Sequence, residues 1–178
     1  MKPVTTARST ARLLLLLAGF HSAAFGANDL LQQELMAMKN AVLETMPNGT
    51  RVLAICGPSD GRGYYVSPKH TGWTDDPISK GRIIIISGPD GVPNILFHDA
   101  KGDFVDATAD GANVTFSFVN DDKQSFGLIE TYPSTGVTQT YVFSEAPTGE
   151  RVLLWTAAKA HISTVGMTKV AAFAAKCL

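Results

Sequence analysis

Val114-Thr115-Phe116-Ser117-Phe118 puts three bulky apolar side chains at alternate positions, with small hydroxyl residues between them. Val137-Thr138-Gln139-Thr140-Tyr141-Val142-Phe143 follows a similar rule, setting Val137, Gln139, Tyr141 and Phe143 against Thr138 and Thr140. A period of two means a pleated strand with one face buried and one wet, the habit of antiparallel sheet. Working outward, the same kind of β-rich run recurs from Thr50 to the end. Strands are predicted over Arg51–Cys56, Gly63–Val66, Arg82–Ser87, Asn94–His98, Phe104–Ala107, Val114–Val119, Phe126–Tyr132, Val137–Phe143 and Val152–Thr156. Residues 157–175 read two ways. Val170–Lys176 is Ala-rich enough for a short helix, but a tether at Cys177 favours a strand within Lys169–Ala174, beside Arg51–Cys56.

The connections decide how these strands associate. Gly88-Pro89-Asp90-Gly91, Asp110-Gly111, Asn120-Asp121-Asp122 and Pro147-Thr148-Gly149 are compact turn sequences. None has room for the helical crossover that parallel neighbours need. One segment reads as a helix: over residues 29–46, Leu31, Leu35, Met38, Val42 and Thr45–Met46 recur at three-and-four spacing. Pro47 stops it and Asn48-Gly49 turns the chain. The predicted fold is therefore mainly β, a single antiparallel meander closed as a β-barrel or stacked as a β-sandwich. One N-terminal helix packs against it.

The first 26 residues read as a secretory signal peptide. Lys2, Arg8 and Arg12 precede the apolar run Leu13–Phe20, and the small residues Ala24 and Gly26 suit a cleavage site before Ala27. The run is too short to cross a hydrocarbon core of ~30 Å as a helix. Cleavage leaves one mature domain, residues 27–178, destined for the periplasm or for secretion. Losing Lys2, Arg8 and Arg12 leaves 12 of the 15 basic residues against all 16 acidic ones, a formal charge of -4. Without clustered Lys or Arg, neither nucleic acid nor an anionic membrane surface is an expected partner. No later segment spans a bilayer as a helix. Cys56 and Cys177 are expected to pair in an oxidising compartment. No C-x-x-C motif suggests redox catalysis.

Gly57-Pro58-Ser59-Asp60-Gly61 matches the G-x-S-x-G nucleophile elbow as a string. That chemistry requires Ser59 on a sharp strand-to-helix turn with a histidine base nearby. Gly63-Tyr64-Tyr65-Val66 reads as a strand instead, so residues 57–61 are expected to be a tight turn between two strands. The glycines fit neither a dinucleotide fingerprint nor a P-loop, and no cofactor is assigned. His70, His98 and His161 lack zinc-ligand spacing. His98 with Asp99, at a strand end, is the acid/base candidate among them. Asp99, Asp103, Asp106 and Asp110 crowd one hairpin, but Lys101 and Phe104 stand where an EF-hand loop needs Asp or Asn and Gly. Asp99, Asp103 and Asp106 remain candidates for an irregular calcium site, with solvated turn carboxylates as the simpler reading.

Tyr64, Tyr65 and Trp73 flank the polar segment Ser67–Gly72, which contains His70. Loops on a rigid sheet commonly carry binding residues. This group is the candidate ligand contact, against a plain capping role. Arg82 and Arg151 flank strands, and Asn48 and Asn113 begin glycosylation sequons that matter only where that machinery exists. The functional expectation is an exported, non-enzymatic β-domain binding a small apolar or amphipathic ligand or an envelope partner. One alternative is a small secreted hydrolase using Ser59 or His98 and Asp99. Another is a purely structural or protein-interaction domain.

Overall fold

The computed structural model describes residues 29–78, 80–98, 103–120, 125–162 and 167–178, with side chains omitted at 160–162 and 167. The stretch read as a signal peptide, Asp99, and Asp121 and Asp122 lie outside the described residues, as does the side chain of His161. A helix α1 spans residues 29–45. Ten strands follow: β1 (Arg51–Val66), β2 (Thr71–Asp75), β3 (Arg82–Ser87), β4 (Pro93–His98), β5 (Phe104–Asp106), β6 (Asn113–Val119), β7 (Phe126–Tyr132), β8 (Val137–Glu145), β9 (Arg151–Ile162) and β10 (Met167–Cys177). They form one antiparallel sheet curled into a half-barrel. Its order is β5-β4-β3-β1-β10-β9-β8-β7-β6, with β2 also paired to β1.

The expected run of hairpins holds from β3 to β5 and from β6 to β10. It is interrupted at β1, which lies between β3 and β10. One edge of β1 is shared: Arg51–Cys56 pairs with β3, and Arg62–Val66 pairs with β2. The other edge runs along β10 from Cys56↔Cys177 to Val66↔Thr168. The strand reading of the C-terminal segment is thereby the correct one. Cys56 and Cys177 form a disulfide 121 residues apart in sequence.

The structure corrects the reading of residues 57–61. They are no turn: β1 runs through them, with a bulge between Cys56 and Ser59. Turn-forming residues suit a bulge for the same physical reasons. Pro58 has no amide proton to leave unpaired, and a bulge is one of the few places inside a sheet that tolerates proline. Ser59 is held across the other edge by reciprocal backbone hydrogen bonds with Ile78, at 3.2 and 2.8 Å. Gly61 is needed for a different reason. A Cβ there would meet the Phe173 ring and, at 2.6 Å, the Ala172 carbonyl oxygen. The sequence reading also missed β2: the turn closes between Ser67 and His70, and Trp73 stands in a strand rather than beyond a loop.

Two apolar layers sandwich β1, β3 and β4. Arg82-Ile83-Ile84-Ile85-Ile86-Ser87 is buried on both faces, as an unbroken apolar run suggests. Ile84 and Ile86 join Ile55 and Leu96 against Leu35 and Val42 of α1. Ile83, Ile85 and Ile95 face the inside of the curl with Leu128, Tyr141, Leu153, Trp155 and Phe173. The helix thus covers the outer face of one arm, presenting the stripe its spacing predicts. Glu34 fixes its position through Arg82, whose Nη2 and Nε lie 2.9 and 3.0 Å from the carboxylate. No helix among the described residues is long and apolar enough to cross a membrane.

Candidate functional site

The register stacks the inward side chains in rows across β1, β10, β9, β8 and β7. Ser59, Ala175, Leu153, Phe143 and Phe126 make one row, and Gly61, Phe173, Trp155, Tyr141 and Leu128 the next. Then come Gly63, Ala171, Ala157, Gln139 and Glu130, and finally Tyr65, Lys169, Lys159, Val137 and Tyr132. Polarity rises along this axis. The first rows are apolar and aromatic, with Phe173 stacked on Trp155 at 3.9 Å between centroids and Tyr141 stacked on Trp155 at 5.8 Å. The third is small over three strands and ends in Gln139 and Glu130.

A cavity of about 250 Å³ lies against Gln139 and Glu130. Ile83, Ile95, Phe97 and Val105 of the opposite arm form its apolar wall, while Glu130, Tyr132, Gln139, Tyr141, Trp155 and Lys159 form the other. Glu130 is only 2% exposed. Its Oε2 accepts a 2.6 Å hydrogen bond from the Tyr141 hydroxyl, and the Tyr132 side chain belongs to the same cavity wall. Burial, followed by the Glu130 charge and hydrogen bond, pushes the Tyr141 pKa well above that of a free phenol. Burial and the neighbouring Glu130 carboxylate push Tyr132 up too. Both phenols therefore remain donors near neutrality.

At the rim, Lys169 pairs with Asp76 and lies over the Tyr65 and Phe173 rings, 5.1 and 5.5 Å from their centroids. Burial opposes the charge of Lys169, but hydrogen bonds to Asp76 and Tyr65 prevail and raise its pKa. A larger hollow of about 640 Å³ runs between α1 and the ends of β1 and β10. It is an open trough, and its Lys176–Glu150 pair is solvated.

Ser59 is buried in β1, where its Oγ accepts a 3.2 Å hydrogen bond from the Trp155 indole N–H. His98 belongs elsewhere. Leu96 faces the helix and Phe97 the lumen, so alternation returns His98 to the helix side, where its ring lies 4.9 Å from that of Phe104. Ser59 and His98 therefore occupy opposite faces of the sheet. The Nδ1 of His98 is buried without a hydrogen-bond partner among the described residues.

Asp106 organises the turn after β5. Its Oδ1 accepts from Asn94 Nδ2 and Thr108 Oγ1, both at 2.8 Å, and from the Ala109 amide at 3.0 Å. Burial alone would raise its pKa, but these hydrogen bonds outweigh burial and hold it below the usual carboxylate value. Asp103 is exposed. Among the described residues no three His, Cys, Asp or Glu side chains gather as a metal site would require.

The candidate aromatic group divides between the two faces. Tyr64 packs edge-on to Trp73 on the outer face, with centroids 5.5 Å apart, while Tyr65 turns inward beneath Lys169. The His70 ring hydrogen-bonds Thr74 at 3.2 Å. Sequence reasoning missed Glu130, Tyr132, Gln139, Tyr141 and Lys159. A signal was present in Phe126-Gly127-Leu128-Ile129-Glu130-Thr131-Tyr132, where the carboxylate falls in phase with buried Phe126 and Leu128.

Comparison with family models, curated proteins and solved structures yields no match. Any functional reading therefore rests on the site itself.

Proposed function

We propose that the chain is an exported, non-enzymatic binding domain whose mature form, residues 27–178, takes a small amphipathic ligand into the half-barrel. The observation that carries this reading is the 250 Å³ cavity with one apolar wall and one hydrogen-bonding wall built around buried Glu130. A few convergent polar groups in an otherwise apolar hollow are the usual composition of a small-molecule site. At ~30 Å³ per water, the volume equals on the order of eight waters, which suits a single-ring or short-chain molecule. Export is supported by the charged, apolar and small-residue order of the leader and by the Cys56–Cys177 bond.

Trp155 lines the cavity and Trp73 is exposed on the outside, so W73F isolates a reporter of occupancy. Small amphipathic probes are expected to change Trp155 emission saturably, and native mass spectrometry is expected to detect the bound mass. Intact mass of exported material should begin at Ala27. Probes that leave Trp155 unperturbed and add no mass would refute the reading.

A further inference from the structure

We infer that the ligand of this cavity carries a protonated amine, which docks on Glu130 while its apolar body lies against Ile83, Ile95, Phe97 and Val105. This inference rests on the cavity being a ligand site and specifies the chemistry that the site selects. A carboxylate offers about four lone-pair positions. Tyr141 supplies one proton, at 2.6 Å. Among the described residues, no Lys, Arg or His nitrogen lies within 4.0 Å of the Glu130 oxygens. A carboxylate this deeply buried has lost its water without gaining a cation, an arrangement that favours an incoming one.

The surrounding charges point the same way. Asp106 and Asp110 act electrostatically on Tyr132 at this end of the barrel. Lys159 is the cation on the cavity lining, and it belongs to the outermost row. With the Lys169–Asp76 pair of the rim included, four carboxylates (Glu130, Asp76, Asp106 and Asp110) stand against two ammonium groups (Lys159 and Lys169), which leaves the mouth net negative. An anion would meet Glu130 itself. A neutral alcohol would fill the space and leave the charge unmatched.

Three probes of nearly equal shape separate these cases: benzylamine, benzyl alcohol and benzoate. They are titrated into the disulfide-bonded W73F protein and followed by Trp155 emission and calorimetry. Benzylamine is expected to bind about tenfold or more tighter than benzyl alcohol, with benzoate weakest. E130Q is expected to bring benzylamine down to the benzyl alcohol level while changing benzyl alcohol less than about twofold. The ranking in the unsubstituted cavity requires no Glu130 variant and stands as a test if E130Q fails to fold. Benzyl alcohol binding as tightly as benzylamine, or folded E130Q retaining full benzylamine affinity, would overturn the amine inference and leave the ligand-cavity reading intact. Binding of none of the three would overturn both.

Discussion

The Tyr141 hydroxyl and the Glu130 carboxylate meet at 2.6 Å inside the half-barrel, one strand apart and shielded from water. Neither group is cheap to bury alone. Y141F would remove a donor and leave the carboxylate with less compensation, at an expected cost of about 1–3 kcal/mol. Urea denaturation of Y141F against the unsubstituted protein measures this. A stability change near zero would mean that Tyr132 alone satisfies the carboxylate.

The two phenols near Glu130, Tyr132 and Tyr141, contribute to the loss of stability at alkaline pH. Tyr132 and Tyr141 have folded pKa values raised above the ordinary phenol value of 10.0. Above that pH the unfolded chain releases phenolic protons that the folded chain retains, so unfolding becomes easier as pH rises. Stability should fall as pH climbs past about 10, and Y132F should flatten the decline. Thermal melts across the alkaline range provide the measurement.

Lys169 and Asp76 form the partly buried pair at the rim. The raised Lys169 pKa stabilises the fold fully below the unfolded lysine value, and that contribution is lost as pH rises through the folded one. D76N should cost about 1–3 kcal/mol, below the range for breaking a fully buried pair because both groups retain some solvent. Chemical denaturation at neutral pH checks it, and D76N should also lower the Lys169 pKa seen by NMR.

Cys56–Cys177 closes a long loop at the end of the barrel opposite the cavity rim. On the loop-entropy account, replacing both cysteines with alanine should cost about 4–5 kcal/mol. Since Trp155 and Glu130 lie one or more rows away from the bond, surviving folded protein should keep its affinity for cavity probes. Denaturation with and without reductant, paired with probe titration, separates the two effects.

G61A should be destabilising by about 1–3 kcal/mol, because the added methyl must displace Phe173 from its place over β1. It should also weaken probe binding, since Phe173 is stacked directly on Trp155. Near-UV circular dichroism of the aromatic row reads the displacement.

The legible parts of this molecule were those governed by periodicity. Alternation in β6 and β8 gave the antiparallel sheet, three-and-four spacing gave the face of α1, and Gly88–Gly91 gave the β3–β4 turn, where Gly91 adopts a φ of 83°. Pro58 and its neighbours misled because a bulge and a turn draw on the same residues. The site was harder to see for a deeper reason. Glu130, Gln139 and Lys159 come from three strands and converge only through register, which local composition does not encode. Polar side chains in phase with an apolar face were the available clue.

β5 and β6 end the sheet on opposite sides, so among the described residues no strand ladder joins the arm bearing Val105 to the arm bearing Glu130. Beside the hollow the two arms are tied through residues 107–112, where the Ala112 amide donates to the Ala107 carbonyl at 2.9 Å. A guest entering between the two lips would therefore break no strand-ladder hydrogen bond, and any widening would have to turn on the 107–112 connection.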